Sequence, residues 1–115
     1  FMSCNLAKVL NDVEDIANGE TGVSWSESGN KLSCTSNFVI YTWTVEWTFD
    51  SSDKCTSAKS TITWSSAALA NQYWDEMEDK TGVTRNGNSF TEDISEEYAG
   101  LDKSVIRSSF VFAEE

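Results

Sequence analysis

Residues 38 to 49 alternate without a break. Val39, Tyr41, Trp43, Val45, Trp47 and Phe49 share one parity, and Ile40, Thr42, Thr44, Glu46 and Thr48 share the other. A β-strand sends successive side chains to opposite faces, so this segment predicts a half-buried strand with one aromatic face and one Thr-rich face. At about 3.3 Å per residue it spans roughly 40 Å, enough for the long central strand of a twisted antiparallel sheet. Asp50 to Lys54 supplies a turn, after which Ala58, Ile62 and Trp64 alternate with Lys59, Thr61 and Thr63. The returning strand therefore puts its apolar residues on the same side as its neighbour. That side must be covered by other elements, and nothing pairs the Thr-rich side, which is left to solvent or to a partner.

The flanking segments supply the rest of an α+β domain. Leu6, Val9, Leu10, Val13, Ile16 and Ala17 recur at spacings of three and four and predict a helix that ends near Asn18, before Gly19. Val23 and Trp25 alternate with serines, Glu27 to Asn30 has turn composition, and Leu32 with Cys34 resumes the alternation, so residues 22 to 35 read as a hairpin. Ser65 or Ser66 caps a second helix, with Ala70, Tyr73, Trp74 and Met77 facing inward and Asp75, Glu76, Glu78 and Asp79 facing solvent. Gly82 closes it. Asn86-Gly87 is the favoured pair for a two-residue type I′ hairpin, which predicts strands over Val83 to Arg85 and Asn88 to Ile94. Residues 101 to 113 suit two templates: Leu101, Val105 and Phe112 fit a helix behind Asp102, and Ile106, Ser108, Phe110 and Phe112 fit a strand. Helix is the favoured reading. The expected architecture is one α+β domain over residues 1 to 115, an antiparallel sheet of five to six strands with helices packed on one face.

Charge limits the partners. With 19 acidic and 8 basic residues, the net charge of -11 disfavours nucleic acid and anionic membranes, which reward clustered Lys and Arg. No apolar run approaches the ~18 residues of a membrane span, and nothing near Phe1 pairs a basic stretch with an apolar one as a signal peptide does. The three cysteines, Cys4, Cys34 and Cys55, are all disulfide candidates, and they cannot all pair within one chain. If Cys34 lies just before the long strand and Cys55 just beyond its far end, roughly 35 Å separates them. A disulfide needs Cα atoms within about 7 Å. The turn-prone Thr35, Ser36 and Asn37 favour that tight arrangement, and Cys4 is then the only thiol able to reach either of the others.

Few residues suggest chemistry. The chain has no histidine, which removes the usual general base and the commonest transition-metal ligand. The cysteines lack the short paired spacing of a zinc site, and no glycine-rich loop cradles phosphate, so neither a catalytic residue, a metal site nor a cofactor is expected. Glu92, Asp93, Glu96 and Glu97 form a charge run of the kind that usually marks a solvated face. Asp50-Ser51-Ser52-Asp53 offers oxygens at short spacing, but Asp and Ser are also the residues that turns select. Five tryptophans in 115 residues raise the question of sugar stacking. Trp43, Trp47 and Trp64 share parity with Val45 and Ile62 and read as core, which leaves Trp25 and Trp74 as the candidate ligand-binding pair, at an edge of the sheet.

Phe49-Asp50-Ser51-Ser52-Asp53-Lys54-Cys55 and Glu96-Glu97-Tyr98-Ala99-Gly100-Leu101-Asp102-Lys103 resemble segments of small bacterial cell-envelope lipoprotein domains, over roughly residues 38 to 105. That resemblance implies no catalysis and an extracytoplasmic address, secreted or in the cell envelope. Phe1-Met2-Ser3-Cys4 is similar to a bacterial lipobox, in which a small residue precedes an acylated cysteine, and a lipid anchor at Cys4 in the precursor would account for the odd thiol. The alternative is a free or disulfide-bonded cysteine at a helix start. The expected function is non-enzymatic: an interaction or structural domain that meets an unidentified protein or glycan through its solvated sheet face or its acidic surface. Two other readings are a carbohydrate-binding module using exposed aromatics and an acidic inhibitor that mimics nucleic acid.

Overall fold

The structure is a computed structural model that describes residues 23–38 and 40–110. The expected first helix, Cys4, Val39 and Phe112 lie outside those residues. The described chain runs β1 (Val23–Ser28), β2 (Lys31–Asn37), β3 (Tyr41–Phe49), β4 (Cys55–Trp64), α1 (Ala67–Glu76), β5 (Val83–Asn86), β6 (Ser89–Asp93), α2 (Ser95–Tyr98) and α3 (Lys103–Ser109). The strands form one antiparallel sheet in the order β1-β2-β3-β4-β6-β5. The fold is α+β.

Alternation governs the core. Tyr41, Trp43, Val45, Trp47 and Phe49 of β3 are buried, as are Leu32 and Cys34 of β2, Ala58, Ile62 and Trp64 of β4, and Phe90 of β6. The described helices lie against this aromatic face. Tyr73 of α1 stacks on Trp64 with centroids 4.6 Å apart, and Trp74 meets Phe90 edge-on at 5.1 Å. Tyr98 at the end of α2 and Phe110 just after α3 both meet Trp47 edge-on, at 5.7 and 4.9 Å. Among the described residues, the helical cover of Trp47 thus comes from the C-terminal segment, and that of Trp64 from α1.

Local signals explain the joints. In the β1–β2 hairpin Ser28 pairs Lys31, leaving Gly29-Asn30 as the loop, with Gly29 at φ 61°. The β5–β6 hairpin repeats this one residue later than expected: Asn86 pairs Ser89, and the loop is Gly87-Asn88 rather than Asn86-Gly87. Only the glycine of each loop has positive φ, which is the type II′ pattern with Gly first, whereas the expected type I′ turn needs positive φ at both positions. Ser66 caps α1, its side chain accepting from the Leu69 N–H at 3.2 Å. Past the end of α1, Lys80 Nζ donates to the Met77 carbonyl at 2.8 Å, a cation where the helix dipole is negative.

The C-terminal segment is helical, as favoured, but with a different buried stripe. Ile106 and Phe110 go inward, while Leu101 and Val105 stay exposed. Backbone bonds decide this rotation by zipping the linker before α3 to the start of β4. Cys55 N donates to Leu101 O at 2.8 Å, Gly100 N to Cys55 O at 2.8 Å, and Lys103 N to Asp53 O at 3.0 Å.

Candidate functional site

Trp25 and Trp74 do not make one platform. Trp25 stands on β1 at one edge of the sheet, and Trp74 packs on Phe90 of β6, four strand spacings away, or about 19 Å. Each ring is also engaged. Trp25 stacks on Trp47 with centroids 5.9 Å apart, meets Phe110 edge-on, and carries the Arg107 guanidinium 5.4 Å from its centroid. Trp74 carries Lys80 Nζ at 5.4 Å. Cations over both rings compete with any sugar for the same faces.

The cation over Trp25 belongs to a wider tie. Glu27 Oε2 accepts from Lys103 Nζ at 2.6 Å, Glu27 Oε1 lies 3.8 Å from Arg107, and Lys103 also lies 3.6 Å from Asp53. These contacts bind the β1 edge to α3. The Lys103 hydrogen bond, then its charge, lowers the Glu27 carboxyl from its ordinary value, and the Glu27 bond raises the Lys103 ammonium. A depressed carboxyl adds stability above the unfolded value of about 4.3 and loses it as pH falls through the lower, folded value. The raised ammonium adds stability below about 10.4 and loses it as pH rises through the higher, folded value. The tie should therefore hold from below the ordinary Glu range to above the ordinary Lys range. Side-chain carboxyl NMR should show Glu27 titrating below a free Glu, and Lys103→Met should move it up toward the ordinary value, with Arg107 still lowering it. An unshifted Glu27 would show that the tie does not persist in solution.

The carboxylate run divides. Asp93, Glu96 and Glu97 are exposed, but Glu92 is 8% exposed, because it shares parity with Phe90 on the aromatic face and sits opposite Ser60 and Val83. The alternation of Phe90, Glu92 and Ile94 was the signal that marked it. Asp93 serves its own turn: its Oδ1 accepts from Ser95 N at 2.9 Å and from Ser95 Oγ, and these bonds lower its carboxyl. Ser95 Oγ in turn accepts from the Ala58 N–H at 3.0 Å, one residue beyond the last β4–β6 pair. The Asp50 loop is likewise a turn, with Asp50 Oδ1 accepting from Ser52 N at 2.8 Å and Lys54 N at 3.1 Å. Among the described residues no three His, Cys, Asp or Glu side chains gather as a metal group.

Cys34 and Cys55 are both buried. Cys34 lies within β2 opposite Val45, and Cys55 pairs Phe49, four residues along β3 and two strands across. Their separation is about 17 Å, shorter than the 35 Å expected, because β2 runs back alongside β3 and carries Cys34 with it. That distance still excludes a direct bridge. Burial pushes the Cys55 thiol up, which disfavours the reactive thiolate.

The other sheet face holds the most regular array of side chains. Ser24 lies opposite Thr35, Thr35 opposite Thr44, Thr44 opposite Thr61, Thr61 opposite Thr91, and Thr91 opposite Thr84. One hydroxyl row therefore crosses all six strands. A second row runs beside it through Asn37, Thr42, Thr63, Ser89 and Asn86. The hydroxyls are linked sideways: Thr35 to Thr44 at 3.1 Å, Thr61 to Thr91 at 3.2 Å, and Thr63 to Ser89 at 2.9 Å, with Thr42 donating to Asn37 at 3.1 Å. Each linked hydroxyl pair uses one donor and one acceptor site, which leaves one O–H and three lone pairs per pair free to face outward. Among the described residues, charge enters this face in the row on the other side, through Glu46, Lys59 and Asp93, and at Lys31, which meets Glu46 at 3.8 Å. The Thr parity of β3 and β4 was visible in sequence, but the complete row was not. It depends on β6 lying beside β4, which a crossover through α1 and β5 decides.

No helix among the described residues is long and apolar enough to cross a membrane. Comparisons with protein-family models, with curated proteins and with solved structures find no match.

Proposed function

We propose that this chain is a non-catalytic, extracytoplasmic interaction domain that meets its partner on the Ser/Thr face of its sheet. The carrying observation is the uninterrupted hydroxyl row from Ser24 to Thr84, uncharged on a chain of net charge -11. A face kept only for solubility would be expected to spread charge across its width, since charged side chains usually keep surfaces soluble, whereas among the described residues charge is confined to Lys31 and the neighbouring row of Glu46, Lys59 and Asp93. The described helices crowd the opposite face, and their aromatics spend both Trp25 and Trp74 on packing and on cations. The address outside the cytoplasm rests on the sequence resemblance alone, and with it a lipid anchor at Cys4.

The test is a three-patch comparison on the immobilised full chain, reading retention of a solubilised cell-envelope fraction. Thr44→Lys with Thr61→Lys charges the sheet face, Trp74→Ala removes an aromatic, and Glu96→Lys with Glu97→Lys reverses an acidic surface. The Thr and Glu positions face outward, where substitutions usually change stability by about 0.5 kcal/mol or less, so those melts should stay close to the parent. Trp74 is half-buried against Phe90, so Trp74→Ala should melt lower, and its retention is read well below its own transition. Retention should fall at least tenfold in the sheet-face variant only. Loss confined to the acidic variant would support the nucleic-acid mimic instead, and loss confined to Trp74→Ala the aromatic sugar site.

A further inference from the structure

Resting on that reading, we infer that the occupant of the face is an extended, uncharged polysaccharide that crosses the strands along the Thr row, about one sugar ring per strand. The charge pattern selects the class of partner. A basic protein needs carboxylates and an acidic polymer needs cations, and neither row contains either: Ser24, Thr35, Thr44, Thr61, Thr91 and Thr84 make up the first, and hydroxyls and amides the second. Two copies of the chain would have to bring net charges of -11 together across a face with no apolar core to bury. A neutral polyol matches the array group for group, because its hydroxyls both donate and accept, as the outward sites of the threonine pairs require.

Spacing and shape narrow the class further. Neighbouring strands lie about 4.8 Å apart, so the row repeats its hydroxyl and methyl at that interval, comparable with the length of one ring in an extended hexose or pentose polymer. Adjacent strands also rotate by roughly 20 to 25°, so the row follows a twisted path. A flexible chain can track such a path, and a flat crystalline lattice cannot. The side chains facing the ligand carry no ring to stack on, so each sugar contributes little, and binding grows by addition along the row. Short oligosaccharides should be held weakly and polymers longer than the row appreciably.

Native affinity electrophoresis of the full chain tests this, with gels containing a β-glucan, a xylan, a mannan, a dextran or, as charged control, a polyuronate. The expected result is retardation by at least one neutral polysaccharide, not by the polyuronate, that fades when the polymer is cut below about four rings. Thr44→Val and Thr61→Val replace a hydroxyl by a methyl of the same shape, and each should weaken retardation about fivefold at unchanged melting temperature. Trp74→Ala should leave retardation in place. Retardation lost in Trp74→Ala but kept in both valine variants would overturn the assignment. So would self-association in sedimentation that Thr44→Lys abolishes. If no neutral polysaccharide retards the chain while Thr44→Lys with Thr61→Lys still abolishes envelope retention, the polysaccharide falls and the sheet-face reading stands. If those lysines change neither, both fall.

Discussion

Trp47→Ala should destabilise the domain by about 3 to 5 kcal/mol, the range for emptying a large aromatic site in a packed core. Trp47 is 0% exposed and among the described residues touches three other rings: Trp25 stacked, Tyr98 and Phe110 edge-on. Its removal opens a space that β1, α2 and the residue after α3 all border, so no single element can move in to fill it. Total stability for a domain of this size is about 5 to 15 kcal/mol, so the loss is a large share of the whole. Urea unfolding at constant m-value would measure it. A chemical contrast sharpens the result. Trp43 Nε1 donates to the buried Ser60 hydroxyl at 2.7 Å, whereas Trp47 Nε1 has no hydrogen-bond partner among the described residues. Trp43→Phe should therefore cost about 1 kcal/mol more than Trp47→Phe, through the bond withdrawn from Ser60. Equal losses would mean that the Trp43–Ser60 bond contributes nothing. A Trp47→Ala variant as stable as the parent would undo the account of the core.

Phe90→Ala should cost a similar 3 to 5 kcal/mol, and its effect should be concentrated on α1 and the β5–β6 hairpin. Phe90 is 0% exposed on β6, between Trp64 at 5.8 Å and Trp74 at 5.1 Å, with the Arg85 guanidinium 5.8 Å from its ring. It is the side chain through which α1 holds the outer pair of strands. Arg85 also donates to Asn71 of α1 at 2.6 Å, an exposed contact too weak to hold the helix once the ring is gone. Amide exchange should accelerate first in residues 67 to 76 and 83 to 93, with the β2–β3 ladder protected longest. Uniform acceleration across the sheet would show that α1 and the hairpin do not form a separable unit. Because β6 also supplies Thr91 to the hydroxyl row, the variant should weaken binding at the sheet face while leaving every residue of that face in place.

What the sequence by itself determined is whatever depends on period and parity. Two-residue alternation from Tyr41 to Phe49 and from Ala58 to Trp64 assigned Trp43, Trp47 and Trp64 to the core and Thr42, Thr44, Thr61 and Thr63 to the opposite face, because a strand leaves no other choice once one face is buried. Ser66 started its helix, and a glycine marked both hairpins, since capping and positive φ are properties of single residues. Tertiary structure decided what depends on which elements become neighbours. The order β4-β6-β5 joined Thr61 to Thr91 and Thr84 and turned scattered threonines into one row, although 30 residues of chain separate the first two. Packing placed Arg107 over Trp25 and Lys80 over Trp74, so residues that looked available for a ligand are engaged with cations. Backbone bonds from residues 100 to 103 to the start of β4 rotated α3 until Ile106, not Val105, faced the sheet. Local sequence sets the faces of each element, and only long-range pairing, with the burial it makes possible, decides which of those faces meet.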